Sequence, residues 1–315
     1  MPSSQAKIRQ IDQSTFPPSS QSSVVEGEVT TTVRVVRLLI TGLVLAAVVA
    51  GIVRGLTTPD SGGGAVVSGL FLTQVALAAV RILLGGFVEG LVFGLSLGTN
   101  WPYTSNIWVL LIQGDPEAAH RIVATLVGLI GLVLVTLAPT SATINGLILI
   151  VLTAALGMGT LHVLSGRLPS LVHGVHGLLA YGVFVSYLMT IYQPGVNFWS
   201  YLSDTPTLCV VLFAVLLGGM TTGHRGFGEP IGAFSWPQRA PQVVMIIHLF
   251  AALMAVAALG STMPDYPVAF YLAVAQVVVG FLLFHAVNLK PRTPGVLVAV
   301  HQSVVLAITV AIVAA

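Results

Sequence analysis

The chain has 315 residues, of which only 7% are charged, against about 25% in a soluble domain. Hydrophobic residues make up 56% of the chain and the mean hydropathy is +0.97. This composition excludes a soluble globular enzyme, a disordered protein and a protein with nucleic acid as its partner.

Residues 1–33 are polar and rich in Ser and Pro, which predicts a flexible tail without a signal peptide. Nine apolar runs follow, each long enough to cross a bilayer, which takes roughly 20 residues. The sequence therefore predicts an all-α, multi-pass protein of the plasma (cell) membrane. The spans are expected at approximately 35–56, 65–97, 117–138, 142–164, 169–192, 206–223, 241–260, 266–287 and 294–314. The second run is too long for one straight span, so its end is expected to tilt or to project from the membrane.

The last eight spans are two copies of a four-helix unit, the first over 65–192 and the second over 204–315. The first span, within 34–57, is an added helix outside this repeat. Leu-Leu-Gly-Gly occurs at 83–86 and again at 216–219, each time ahead of a Trp-Pro pair. Further equivalent positions are His120 and His248, Gly157 and Gly280, His162 and His285, Pro169 and Pro294, and His176 and His301. Both copies have an even number of spans, so they form parallel repeats that place the equivalent histidines at one level.

Each repeat offers one histidine pair on its second and fourth helices: His120 with His176, and His248 with His301. Lipid offers an imidazole no partner, so each must be hydrogen-bonded, functional or a metal ligand. Two imidazoles facing each other inside a four-helix bundle are a natural axial pair for haem iron. Hydrogen bonding between helices is the alternative for each histidine. Zinc is disfavoured, because no thiolate or carboxylate cluster completes a tetrahedral site and the chain has one cysteine, Cys209.

Other polar residues stand near these pairs. His173 lies one turn before His176, but its equivalent position in the second copy is Ala299 or a neighbour, so it is not expected to be a ligand. His224 has no counterpart and is expected in a loop. Glu117 lies three residues before His120 on the same helical face. It either has a functional role or is a first-turn carboxylate that the helix dipole favours. Arg81 and Glu89 lie inside the second span, where charges are costly, and either pair with each other or serve a function.

These residues resemble a known family. Glu117-Ala118-Ala119-His120-Arg121 is similar to the Glu-x-x-His-Arg signature of the heme A synthase family. Leu84-Gly85-Gly86-Phe87-Val88, with the Gly-Leu-Ser at 94–96, resembles that family's first helix and the following loop. Two further stretches, one around Gly157 to His176 and one around Gln276 to Gln302, are similar to its later helices. The resemblance covers about residues 70–315.

The resemblance implies two pseudo-symmetric bundles, each with a bis-histidine haem site near one membrane face. His120 and His176 would hold the substrate, haem O, whose ring methyl group is oxidised to the formyl group of haem A. Glu117 would be the acidic residue beside that methyl carbon. His248 and His301 would hold haem b, which passes electrons. Arg121, His162 and His285 are expected around the haems, with capping of helix carbonyls as the alternative for the two histidines.

Two features give conflicting expectations for the side of the membrane on which the histidines lie. Ten cationic residues gather on the histidine side, whereas Arg54 alone is expected on the other, so the positive-inside rule places the histidines in the cytoplasm. The family resemblance places them outside. Haem propionates need cationic partners on the haem side, which offers another reason for Arg167, Arg225, Arg239, Lys290 and Arg292. The ten cationic residues are Lys7, Arg9, Arg34, Arg37, Arg121, Arg167, Arg225, Arg239, Lys290 and Arg292.

Three functions compete at this point. The first is a haem-modifying oxidase of the heme A synthase type. It is favoured because Glu117 lies three residues before His120, whereas Met245 occupies the equivalent position before His248. The second is a non-catalytic dihaem cytochrome b subunit that passes electrons between quinol and a partner. The third is a transporter built on parallel repeats. Quinol or another electron donor is expected as a partner, and the added helix is available to contact a second copy of the chain or a respiratory-complex subunit.

Overall fold

The computed structural model describes residues 64–91, 93–98, 106–225, 230–232, 236–289 and 295–315, together with positions 42, 46, 49 and 53. The predicted tail, most of the added helix, the Trp-Pro pair at 101–102, and Lys290, Arg292 and Pro294 lie outside these residues. Within the described ranges the chain is all-α, with no strand. The predicted fold class is confirmed: eight helices are long and apolar enough to cross a membrane.

Ten helices are described in chain order. They are α1 (Gly64–Gly90), α2 (Ile107–Gln113), α3 (Pro116–Leu137), α4 (Ser141–Leu164), α5 (Leu171–Tyr192), α6 (Phe198–Asp204), α7 (Pro206–Arg225), α8 (Ala240–Ser261), α9 (Pro267–Leu289) and α10 (Gly295–Val313). The short helices α2 and α6 were not predicted. The eight long helices match the predicted spans to within a few residues, except at the end of α1.

The helix starts follow local signals. Asp115 caps α3, because its side chain accepts a hydrogen bond from the Ala118 amide at 2.9 Å and Pro116 occupies the first turn. Thr140 and Thr143 form a capping box at the start of α4, in which each side chain bonds to the other residue's backbone. These caps fix the residues at which α3 and α4 begin.

Two predicted boundaries were wrong. The run 65–97 is not one helix, since α1 ends at Gly90 and residues 94–98 form a turn whose Leu97 amide donates to Glu117. His224 was expected in a loop but lies in the last turn of α7. The helix continues past Gly223 because this glycine lies against α5: a Cβ there would lie 2.9 Å from the Cβ of His173. Gly223 therefore serves close packing rather than termination of the helix.

The long helices pack in two groups of four. In the first group α1 packs against α3 and α5, and α4 packs against α3 and α5. In the second group α7 packs against α8, α9 against α8, and α10 against α9. Between the groups, the first helix of each lies on the last helix of the other, so that α1 contacts α10 and α7 contacts α5. This reciprocal packing has the pattern of a two-fold relation between the groups.

Small residues bring the two groups close together. A Cβ at Gly219 of α7 would lie 2.9 Å from the Cα of Gly174 of α5, so the two backbones touch. On the other contact between the groups, the Tyr181 hydroxyl of α5 donates to the backbone carbonyl of Gln302 of α10 at 3.3 Å. One buried apolar cluster runs through the long helices of both groups. The groups therefore share a core.

The outer surface of the long helices is apolar. Large hydrophobic side chains on α8 and α9, among them Phe250, Met254 and Phe281, are about 60% exposed. In water such a surface would be a liability, whereas acyl chains solvate it at no cost. The protein is therefore described as a multi-pass membrane protein.

Candidate functional site

Four histidines lie near the starts of four helices: His120 in α3, His176 in α5, His248 in α8 and His301 in α10. Each is within the first nine residues of its helix, which at 1.5 Å per residue is no deeper than about 12 Å. All four are half-buried. His120 and His176 lie close enough to interact electrostatically, and so do His248 and His301. The structure thus brings together the two pairs that the sequence predicted.

The Nδ1 atom of each ring is held by a neighbouring helix. His120 Nδ1 lies 3.0 Å from the Arg81 carbonyl of α1, and His248 Nδ1 lies 2.9 Å from the Ala214 carbonyl of α7. His176 Nδ1 lies 3.0 Å from the Thr153 carbonyl of α4. A carbonyl only accepts, so these three rings carry their proton on Nδ1 and keep the Nε2 lone pair. Nε2 makes no hydrogen bond within the part of the chain that the structure describes.

A glycine explains how each ring reaches the adjacent helix. In all four cases the helix that partners Nδ1 has a glycine whose added Cβ would lie 3.3–3.6 Å from the histidine Cε1. In the three carbonyl cases this glycine lies four residues after the carbonyl, directly above it on the helix surface. The missing side chain leaves the carbonyl open to a second donor. The four contacts are Gly85 with His120, Gly157 with His176, Gly218 with His248, and Gly280 with His301.

The distance between the two imidazole rings is known for the second pair, His248 and His301. The centroids of the His248 and His301 rings lie 6.4 Å apart, with their planes inclined by 59°. Two imidazoles that bind one metal ion from opposite sides, with metal–nitrogen distances of about 2.0–2.1 Å, have centroids roughly 6.3–6.5 Å apart. The ring spacing in the second group therefore fits one shared metal atom.

Glu117 lies one turn before His120 and is fully engaged. Its Oε1 accepts from the Arg121 guanidinium at 2.5 Å, and its Oε2 accepts from the Ser96 hydroxyl at 2.9 Å and the Leu97 amide at 3.1 Å. Glu117 is 3% exposed. These bonds tie the first turn of α3 to the segment 93–98. The predicted site residue Arg121 is thus the ion-pair partner of Glu117.

Arg81 and Glu89 do not form the pair that was the alternative to a functional role. Glu89 Oε1 lies 3.2 Å from Nε2 of His173, and an Arg81 nitrogen donates to the Ala180 carbonyl at 3.5 Å. The sequence offered no local signal for the contact between Glu89 and His173, since they lie on different helices. Nε2 of His173 is thus occupied by Glu89, whereas His120, His176 and His248 keep their Nε2 lone pairs free.

The remaining predicted site histidines lie at helix ends. His162 is in the last turn of α4, and His285 of α9 is exposed, with its ring 4.4 Å from that of Phe281 and 5.6 Å from that of Phe284. Within the described ranges, neither is joined to the paired histidines by a hydrogen bond or a ring contact. A role for either at the cofactor stays a prediction.

Sequence reasoning missed the residues that orient the rings. Backbone carbonyls act at Arg81, Thr153 and Ala214, and every residue has a carbonyl, so no residue type marks them. Gln276 is different: its Nε2 lies 2.9 Å from Nδ1 of His301. It lies four residues before Gly280, which is the position that Thr153 has before Gly157, so a comparison of the two repeats is the signal by which the sequence could have revealed it.

The described residues contain no group of three or more His, Cys, Asp or Glu side chains arranged to hold a metal ion. The histidines instead occur as pairs, and this donor set suits a metal whose other coordination positions are filled by a non-protein ligand. No family model matches the chain, and no curated protein or solved structure was found to be significantly similar to it.

Proposed function

We propose that each group of four helices binds one haem between its two histidines. The observation that carries this proposal is the arrangement of the rings: Nδ1 of all four is held by a neighbouring helix, and at His120, His176 and His248 the bond to a carbonyl keeps the Nε2 lone pair free. A hydrogen bond at Nδ1 orients a ligating imidazole and raises its basicity. The 6.4 Å spacing of the His248 and His301 rings fits one iron atom between them. A bound bis-histidine haem supplies one-electron redox chemistry.

The best-supported activity is that of a heme A synthase-type oxidase in the plasma membrane. The substrate, haem O, would lie between His120 and His176, and its ring methyl group would be oxidised to a formyl group. Glu117 favours this assignment because it is buried one turn before His120, while Met245 occupies the same position relative to His248. In this proposal His248 and His301 hold haem b. Oxidation of a methyl to a formyl group needs an oxidant, for which we propose dioxygen, and quinol or another donor would supply the further electrons with which the dioxygen is reduced to water.

One observation favours a second candidate, a dihaem electron-transfer subunit. Both oxygens of Glu117 already accept hydrogen bonds, from Arg121, Ser96 and Leu97. A carboxylate with these partners joins α3 to the segment 93–98 whether or not a substrate is present. Both candidates need the same four histidines, so they differ only in the role of Glu117 and in the haem found in the first group.

Haem content is the first test. The protein is purified after co-expression with a haem O synthase, its reduced-minus-oxidised spectrum is recorded, and the extracted haems are separated by chromatography. Haem b together with haem O or haem A supports the oxidase. Two equivalents of haem b alone support the electron-transfer subunit. A protein without haem overturns both, and the histidines then serve only as hydrogen bonds between helices.

The substitution Glu117→Gln separates the two candidates, with Asp265→Asn as a control at an exposed carboxylate in the turn after α8. The oxidase predicts at least a tenfold loss of haem A formation in Glu117→Gln with both haems retained, and no loss in Asp265→Asn. Haem A formation at the wild-type level in Glu117→Gln would show that Glu117 has no role in the reaction.

A further inference from the structure

Gln276 breaks the pattern of the four histidines. Three rings bond through Nδ1 to a backbone carbonyl, whereas His301 faces a side-chain amide. The equivalent residue in the first group is Thr153, whose hydroxyl donates to the Leu149 carbonyl at 2.6 Å and leaves its own carbonyl to His176. At Gln276 the side chain takes the position of that carbonyl.

The amide of Gln276 contacts His301 at two points. Its Nε2 lies 2.9 Å from Nδ1 of the ring and 3.0 Å from the backbone carbonyl of the same histidine. Its Oε1 is buried and has no hydrogen-bond partner within the described ranges. A buried amide oxygen without a hydrogen-bond partner destabilises the arrangement that leaves it so. Rotation of the amide by half a turn brings this oxygen to Nδ1 and breaks the hydrogen bond from Nε2 to the His301 carbonyl.

The two amide orientations have opposite consequences for the ring. With Nε2 of Gln276 towards Nδ1, the ring accepts there and carries its proton on Nε2. With Oε1 towards Nδ1, the ring donates there and its Nε2 lone pair is free to bind a metal. A carbonyl, as at Thr153, allows only the second state. His301 is therefore the one ring of the four whose partner is able to change its tautomer.

Resting on the proposed function, we infer that Gln276 is a positioning residue that sets the ligand strength of His301 and so the reduction potential of the second haem alone. The means is hydrogen bonding at the far nitrogen of a ligand, which tunes a metal centre without contact to it. A stronger acceptor at Nδ1 makes the imidazole a better donor and favours the oxidised iron. A carboxylate at position 276 is such an acceptor.

The test is a redox titration of the purified, full-length protein with the haems that it retains on purification. Gln276→Glu is expected to shift the reduction equilibrium of one haem at least tenfold towards the oxidised form, which lowers its midpoint potential by about 59 mV for one electron. The midpoint potential of the other haem is expected to stay unchanged. Thr153→Ala is the matched control at the equivalent position. Because His176 uses the backbone carbonyl there, this variant is expected to shift neither potential.

Each result decides between the inference and the function on which it rests. Two haems with unchanged potentials in Gln276→Glu overturn the inference and leave the proposed function standing. An equal shift of both potentials, or a shift in Thr153→Ala, also overturns it. If Gln276→Glu does not retain both haems, Gln276→Ala is judged by the same criterion, a shift confined to one haem. A wild-type protein without haem overturns the proposed function and the inference together.

Discussion

Glu89 of α1 and His173 of α5 form a buried contact, with Oε1 and Nε2 3.2 Å apart and side chains 16% and 10% exposed. Arg225 at the end of α7 lies close enough to Glu89 for their charges to interact. The contact joins two helices of the first group, and Arg225 of α7 extends it to the second group, at the end of the bundle where the paired histidines lie. Charges at such a depth are costly unless they are paired, so this cluster constrains how the groups pack.

The Glu89–His173 contact is expected to couple the two residues energetically. Glu89→Ala and His173→Ala should each lower the free energy of unfolding, and the double variant should lower it by less than the sum. The difference, measured by titration with a denaturing detergent, is expected to be about 0.5–3 kcal/mol, the range for residues in contact. Asp265→Asn combined with Glu89→Ala is the control and should be additive. Additivity of the Glu89 and His173 variants would mean that the contact contributes nothing.

The glycines that face the histidines give a prediction with a built-in control. Gly218→Leu should displace the ring of His248, because a Cβ alone would lie 3.3 Å from its Cε1. We expect loss of the haem in the second group, with the haem in the first retained. Gly85→Leu should do the reverse through His120. Haem content per protein and the spectrum of the haem that remains are the measurements.

The two glycine variants are compared only if both remain monodisperse by size-exclusion chromatography. Retention of both haems in either variant would show that the ring does not need this glycine. Loss of both haems in each variant would mean that the substitutions disturb the shared core rather than one site.

The helices were predictable from the sequence because their signals are local. The run 117–138 was predicted from its apolar length and from Asp115 and Pro116, and α3 spans Pro116–Leu137. The histidine pairs were predictable because duplication places His120 and His248, and likewise His176 and His301, at equivalent positions. Apolar length and internal repetition are both visible without knowledge of the packing.

The partners of these side chains were not predictable, because they depend on packing between distant helices. Glu89 and His173 are joined only once α1 lies against α5. His224 was expected in a loop because it has no counterpart in the first repeat, but α7 continues to Arg225. The two short helices, α2 and α6, lie in connections where no apolar run of membrane length marks them.

Glu117 is expected to protect the segment 93–98 from local opening. Glu117→Ala removes the acceptor of the Leu97 amide and the Ser96 hydroxyl. Hydrogen bonds to charged groups contribute about 1.5–3 kcal/mol, which corresponds to roughly 10- to 150-fold faster exchange of the Leu97 amide. Hydrogen–deuterium exchange of the detergent-solubilised protein measures this rate. Ser96→Ala is the milder control, because it keeps the acceptor of the amide; equal protection in Glu117→Ala and the wild type would contradict the prediction.

The single cysteine reports which way the protein faces. Cys209 is exposed and lies at the start of α7, the end opposite to His224 and Arg225 and therefore opposite to the paired histidines. Among the described residues, Arg121, Arg167, Arg225 and Arg239 lie at the histidine end, so the positive-inside rule places that end in the cytoplasm. We expect a membrane-impermeant maleimide to label Cys209 in intact cells.

The control reverses the expected accessibility. Arg167→Cys in the Cys209→Ser background moves the thiol to the connection between α4 and α5, at the histidine end, and should be labelled only after the cells are permeabilised. Labelling of position 167 in intact cells, with Cys209 protected, would place the histidines outside. The arginines would then lie at that end because of their contacts, as Arg121 does through Glu117 and Arg239 through its 2.8 Å bond to the Ile231 carbonyl, rather than because they orient the chain.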